Sequence, residues 1–396
     1  MMIRTIDEFD FKGKKTLIRV DYNVPLDMNL NITDDKRIVA SMPTIKKILS
    51  DGGMAIIMSH LGRPKGVKVK EMSLRPVANY LSSSLDTKVH FANDCNTEVA
   101  KQVVSEAKLG EVVLLENLRY YAEEEANDDV FASSLASLGD VYVNDAFGTA
   151  HRAHASTYAA AKKFENRFAG KLVEKEIEYL EDVVNNAKKP FTAIIGGAKV
   201  SGKIDVIENL FSKCDNILIG GGMVFTFLKA QGIEVGKSLV EDDKLEMAKK
   251  ILLDAKANNV NLILPSDIVA AKEFKNDTEF ENVSIDNIPS DRMGLDIGTE
   301  STKHYAELIE NSNTVLWNGP MGVFEMDNFA KGTIGVAEAL ATATSRGANT
   351  IVGGGDSVAA IRKLGFEDKV SHISTGGGAS LEFLEGKKLP GIEALR

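Results

Sequence analysis

The chain has 396 residues, 44% hydrophobic and 26% charged, a mix that excludes a mainly disordered, collagenous or coiled-coil protein. That length predicts two domains for an α/β chain. Acidic residues outnumber Lys and Arg by 57 to 47, and the formal net charge of −10 argues against a general nucleic-acid or anionic-membrane binder, a local basic patch aside.

Two cysteines, Cys95 and Cys214, cannot build a disulfide framework and suit a reducing compartment as small core residues. No apolar run approaches the roughly 18 residues that span a bilayer. The first residues, Met1-Met2-Ile3-Arg4-Thr5-Ile6-Asp7-Glu8, meet charge at once and lack an apolar h-region. The expectation is a cytoplasmic protein without an export signal.

One pattern then repeats along the chain: a short aliphatic run ends abruptly in polar residues or glycines. In the first half residues 16–20 run into Asp21-Tyr22-Asn23, and 55–58 into Ser59-His60. Residues 112–115 run into Glu116-Asn117, and 141–143 into Asn144-Asp145. In the second half 192–195 run into Gly196-Gly197, 217–219 into Gly220-Gly221-Gly222, and 262–264 into Pro265-Ser266-Asp267. Residues 315–317 run into Asn318-Gly319, and Ile351-Val352 into Gly353-Gly354-Gly355. Continuous apolar runs of this length read as strands buried on both faces. Helical spacing fills the gaps at 36–49, 74–85, 244–257 and 329–343. Alternating strands and helices predict α/β architecture with doubly wound parallel sheets. Ligands of such sheets bind beyond the carboxyl ends of the strands, so one edge per half is expected to bind.

Residues 171–187 carry apolar side chains at helical spacing and end at Lys188-Lys189-Pro190, where proline bars helical geometry. This helix reads as the connector between domains.

The second half carries glycine clusters. Gly353-Gly354-Gly355-Asp356-Ser357 follows a strand and opens a helical stretch, where free amides favour phosphate. Asp356 lies where a carboxylate could meet a Mg²⁺ carried by that phosphate. A tight turn with a helix cap is the plain alternative. Further strand-to-glycine turns at Gly220–222 and at Ser374-Thr375-Gly376-Gly377-Gly378 favour the phosphate reading. Residues 197–203 spell most of a P-loop, but Ile204 stands where Ser or Thr would hold Mg²⁺, so a true P-loop is not expected. Lys199 and Lys203 remain as phosphate charges, unless both simply face solvent.

The first half offers Arg37, Arg63, Arg119 and Arg152 near strand ends. Guanidinium groups bind phosphate and carboxylate through paired hydrogen bonds, and such a gathering in an acidic chain predicts a local anion site. His60, beside Arg63, is either an anion contact or a satisfied structural histidine. His151 and His154 lack a further ligand that would make a zinc site. No Ser-His-Asp arrangement is legible. Two anion-binding edges, one for a small polyanion and one for a nucleotide phosphate, suggest a phosphotransferase.

Several segments together resemble the phosphoglycerate kinase family along essentially the whole chain. They include Arg19-Val20-Asp21-Tyr22-Asn23-Val24-Pro25, Ser59-His60-Leu61-Gly62-Arg63-Pro64, Glu116-Asn117-Leu118-Arg119 and Asn144-Asp145-Ala146-Phe147-Gly148-Thr149-Ala150-His151-Arg152. The second half adds Gly196-Gly197-Ala198-Lys199-Val200, Trp317-Asn318-Gly319-Pro320-Met321-Gly322-Val323-Phe324-Glu325, Gly354-Gly355-Asp356-Ser357 and Ser374-Thr375-Gly376-Gly377-Gly378.

The resemblance implies reversible transfer between 1,3-bisphosphoglycerate with MgADP and 3-phosphoglycerate with MgATP. It implies that Asp21 and Asn23 bind glycerate, with His60 beside them, and that Arg63, Arg119 and Arg152 hold the 3-phosphate. Arg37 would approach the carboxyl end and the transferring group, and Lys199 would stabilise that group in flight. Lys203 would meet the nucleotide phosphates, Glu325 the ribose, and Gly294 would line the nucleotide pocket. Gly354, Gly355 and Ser357 would form a phosphate-binding helix start, Asp356 would bind Mg²⁺, and Gly376, Gly377 and Gly378 would face the transition state. The family fold implies a 3-phosphoglycerate domain at 1–170 with a returning segment 380–396, a helix at 171–187 and a nucleotide domain at 188–379. It also implies closure about hinges, in a monomer.

Four departures from the family pattern span five positions. Gly202 stands where Asp is usual and weakens a helix cap, Tyr22 replaces Phe, Tyr120-Tyr121 replaces Phe-His, and no proline follows Gly298. None removes an assigned charge.

Overall fold

The computed structural model describes residues 3–396. The chain divides into two compact units, Met1–Glu178 with Lys388–Arg396, and Tyr179–Lys387. The division falls inside one continuous helix, Lys171–Asn185, and the return begins at residue 388 rather than 380. Residues up to 387 stay with the second unit because the Gly378–Leu384 helix is tied there: Asn209 donates to the Leu384 carbonyl at 2.5 Å, and Lys387 pairs with Asp205 at 3.2 Å.

The first unit holds a six-stranded parallel sheet. Its strands are β1 (Lys15–Val20), β2 (Met54–Met58), β3 (Val89–Ala92), β4 (Val112–Leu115), β5 (Val141–Asp145) and β6 (Arg167–Ala169), in the order β3-β4-β2-β1-β5-β6. Strands β2, β4 and β5 are buried at every position, as continuous apolar runs require when helices cover both faces. Their side chains join the helix residues Ile38, Ile45, Ile48, Val77 and Leu81 in one core. The edge strands β3 and β6 gave no clear apolar run, and the sequence reading passed over both.

The second unit repeats the plan. Its strands β7 (Phe191–Ile195), β8 (Asn216–Ile219), β9 (Asn261–Ile263), β13 (Thr314–Asn318), β14 (Asn349–Gly353) and β15 (His372–Ile373) pair in parallel in the order β15-β14-β13-β7-β8-β9. The structure adds an element that the doubly wound reading lacked. Strands β10 (Asp267–Ala271), β11 (Phe280–Ser284) and β12 (Met293–Ile297) form a separate antiparallel sheet in the order β11-β10-β12. Exposed polar residues such as Glu281 and Asn282 break the apolar signal in β11, which explains the omission.

Cys95 and Cys214 are free and buried, as expected. Among the described residues no helix is long and apolar enough to cross a membrane.

Candidate active site

In the first unit the loops after β1, β2 and β4 meet at the carboxyl edge of the sheet. Hydrogen bonds stitch them together. The Asn117 side chain accepts from the amides of Leu61 and Arg119, at 3.2 and 3.1 Å, and donates to the carbonyls of Leu61 and Met72. Asn23 accepts from the Gly62 amide at 2.8 Å, and Ser59 accepts from the Tyr22 amide at 2.8 Å.

This scaffold brings the expected anion-site residues to one edge. Asp21 pairs with Arg37 and lies 3.9 Å from His60. Arg119 is 6% exposed, donates to the Gly62 carbonyl at 2.9 Å and meets Glu125 at 3.3 Å. Arg63 and Arg152 are exposed; Arg152 donates to His151 at 3.1 Å. Burial pushes the Asp21 carboxyl up, but the facing His60, Arg37 and Arg19 and the Asn23 amide outweigh it and hold the group below its ordinary value. Burial pulls His60 well down, Arg19, Arg119 and Arg37 adding to the effect against Asp21. His60 is buried and meets Arg19, as the reading of a satisfied histidine requires, and it lies at the edge where the arginines gather.

His154 faces the same cations. Burial, then Arg19, Arg119 and Arg152, push its imidazole down to about 4. Among the described residues no group of three or more His, Cys, Asp and Glu is placed to hold a metal ion. The folded chain therefore keeps His154 neutral where the unfolded chain takes up a proton. Its contribution is present above about pH 6.5 and is lost as pH falls toward 4, with about 3 kcal/mol at stake. His154→Gln should flatten that part of the stability profile. Urea unfolding of both chains at pH 4.5 and 7 checks this; an identical difference at both pH values contradicts it.

In the second unit, the loops after β7, β8, β13 and β14 surround a cavity of about 470 Å³. Backbones approach closely here. A Cβ on Gly196 would stand 2.1 Å from the Pro320 carbonyl oxygen, which only glycine avoids. The β10–β12 sheet supplies the wall the sequence did not reveal, through Ile268, Met293 and Gly294. Glu325 and Asp356 also line the cavity, and both are exposed. An apolar enclosure with a few polar groups suits a nucleobase and ribose.

Gly354 precedes the helix Gly355–Lys363 with φ of 85°, and the Ser357 hydroxyl, fully buried, accepts from the Gly319 amide at 2.5 Å. The first-turn amides of this helix begin beside Asp356, an arrangement suited to phosphate. Lys203 donates to the Asn318 side chain, and burial lowers its ammonium below the ordinary value, Asp356 opposing. Lys199 is exposed on the loop before Val200–Gly202, outside the cavity lining. Gly376, Gly377 and Gly378 follow β15, also outside it.

Sequence reasoning missed several supporting residues. Arg19 was quoted but given no role, although a charge inside a run buried on both faces is a signal. Asn117 and Asn318 gave no signal of their own. Glu241, which accepts from the Ser201 amide and hydroxyl at 3.1 and 2.5 Å, steadies the loop bearing Lys199 and Lys203. The helix Ile204–Leu210 has Lys203 at its N-cap, without a side-chain cap, so Gly202 is not the capping residue and lies one position earlier, in the turn Val200–Gly202. The unusual tyrosines find partners: Tyr22 meets Ser41 at 2.9 Å, Tyr120 donates to the Val69 carbonyl at 2.5 Å, and Tyr121 donates to Asp94 at 2.8 Å. Beyond Gly298, Asp267 caps the helix start by accepting from the amides of Glu300 and Ser301.

A family model described as phosphoglycerate kinase matches residues 6–387. The chain is 58% identical over 396 residues to a phosphoglycerate kinase of Chlorobium luteolum, covering 100% of both. It is 59% identical over 393 residues to one of Chlorobium chlorochromatii, covering 99% of each. Among solved structures, phosphoglycerate kinase from Coxiella burnetii matches with a TM-score of 0.92 at 41% identity, over 100% of this chain and 99% of that one. The Pyrococcus horikoshii enzyme matches at 0.83 and 32%, over 100% and 98%.

Proposed function

We propose that the two sheet edges each hold one partner of a single phosphoryl transfer, because the chain belongs to the phosphoglycerate kinase family. Its reaction is the reversible transfer between 1,3-bisphosphoglycerate with ADP and 3-phosphoglycerate with ATP, the ATP-producing step of glycolysis. The gathering of Arg119, Arg37, His60 and Asp21 at one edge of an acidic protein carries the assignment of the phosphoglycerate side.

On this reading Asp21, Asn23 and His60 orient the glycerate, and Arg63, Arg119 and Arg152 neutralise the 3-phosphate. Arg37 reaches the carboxyl end. The attacking carboxylate is ionised at neutral pH, so no general base is required. Catalysis then rests on positioning and charge neutralisation. Lys199 and the amides of Gly376, Gly377 and Gly378 stabilise the group in flight. Lys203 and the helix start at Gly354, Gly355 and Ser357 hold nucleotide phosphates, while Gly294 and Glu325 meet base and ribose.

The donor set fits a magnesium ion that arrives with the nucleotide. Asp356 is one exposed carboxylate at the cavity, and Mg²⁺ commonly takes one or two carboxylates beside phosphate oxygens. When bound, the ion supplies positive charge to the phosphate oxygens. Asp356→Asn should raise the Mg²⁺ concentration for half-maximal rate by about tenfold, the loss of one charged ligand. A titration unchanged from the parent would remove Asp356 from this role. We further propose a cytoplasmic monomer that binds neither nucleic acid nor membrane; the net charge of −10 supports the exclusion of nucleic acid.

A further inference from the structure

We propose that Arg19 is a positioning residue that fixes His60 in the neutral tautomer with its proton on Nε2. Arg19 lies in β1 and is 1% exposed. Its Nε donates to the Ser156 hydroxyl at 2.9 Å, Nη1 donates to the Val20 carbonyl, and Nη2 lies 3.2 Å from His60 Nδ1. A guanidinium group can only donate. The Nδ1 atom facing it must therefore offer its lone pair, which leaves the ring proton on Nε2.

The rest of the chain of bonds enforces the same direction. Glu124, 0% exposed, accepts from the Ser156 amide at 2.9 Å and from the Ser156 hydroxyl at 2.5 Å. The Ser156 hydroxyl spends its hydrogen on Glu124 and so accepts from Arg19. Arg19 thus donates in both directions, to His60 on one side and, through Ser156, toward a buried carboxylate on the other. The competing acceptor for a proton on Nδ1 is Asp21, 3.9 Å away, too far for a hydrogen bond and already engaged by Arg37 and the Asn23 amide. Arg37 and Arg119 also face the ring, and both disfavour a second proton. The consequence rests on the reading of this edge as the glycerate site. There His60 offers a neutral donor whose strength stays constant across neutral pH.

The test is a long-range proton–nitrogen correlation spectrum of the whole chain, labelled at histidine, at pH 7 without substrate. The His60 signals are identified by their loss in His60→Gln. A proton-bearing Nε2 with an unprotonated Nδ1 is expected. The opposite tautomer, or a doubly protonated ring, overturns the proposal, and this spectrum decides without any variant of Arg19. A second arm uses Arg19→Met with Glu124→Gln, which removes cation and buried anion together. There the tautomers should mix, the His60 titration midpoint should rise, and KM for 3-phosphoglycerate should rise by about tenfold. An unchanged tautomer in that variant also overturns the proposal. Adding 3-phosphoglycerate to the parent separates the two readings. His60 signals that do not move would refute the site assignment and leave the tautomer assignment standing.

Discussion

Arg37→Ala should lower kcat by about a thousandfold while changing KM for 3-phosphoglycerate by less than about fivefold. Arg37 sits in the first turn of the helix Lys36–Ser50, and its side chain is 41% exposed while paired with Asp21. The Arg37 end of the pair is open to solvent, and Asp21 keeps the Asn23 amide and the facing His60 and Arg19, so the variant should fold normally. On the proposed reading, ground-state binding keeps Arg63, Arg119 and Arg152, whereas the charge that accumulates on the transferring group loses its guanidinium partner, an interaction realised only in the transition state. Steady-state kinetics check this. A raised KM with unchanged kcat would mean that Arg37 binds substrate and does nothing further.

Gly294→Val should weaken ATP and ADP binding by at least about a hundredfold and leave 3-phosphoglycerate binding intact. Gly294 lies in β12 and lines the cavity, its amide donating to Ser238 at 2.9 Å. A Cβ there would stand 1.9 Å from Cζ of Phe225 and 2.9 Å from Cδ1 of Ile268. The Phe225 ring must swing into the cavity or the strand must shift, and either movement takes space from the base. Calorimetric titration with each substrate separates the two sites. Parallel loss of both affinities would point to general unfolding, which circular dichroism would reveal.

Much of this architecture was legible because parallel strands buried on both faces write themselves as continuous apolar runs. Residues 112–115 and 192–195 mark β4 and β7 closely. The chain's polar punctuation then fell at the carboxyl ends of the strands, where such sheets bind ligands. The antiparallel sheet escaped because β11 is exposed and polar, so its pairing with β10 is a tertiary event without local periodicity. Gly294 illustrates the cost: residue spacing alone gave no reason to place it at a pocket, and only the family resemblance did.

The site divided in the same way. Exposed candidate groups such as Asp356 and Arg63 follow directly from strand-end position. The groups that orient others did not, since Asn117, Ser156 and Glu124 act through contacts between residues far apart in sequence. Histidines were the least legible. Whether His60 is charged depends first on its burial, then on Asp21 and on three arginines from separate elements, which no spacing rule encodes.

On the proposed reading, Lys199 stabilises the phosphoryl group as it is transferred. The most direct measurement is ATP formation from ADP, Mg²⁺ and enzymatically generated 1,3-bisphosphoglycerate, comparing the parent with Lys199→Ala. Lys199 is exposed and lies outside the cavity lining, so its removal should spare both fold and nucleotide affinity. The account predicts rapid ATP formation in the parent and a loss of about a hundredfold or more in kcat for the variant, with KM for ADP little changed. Equal rates in the two chains would contradict it.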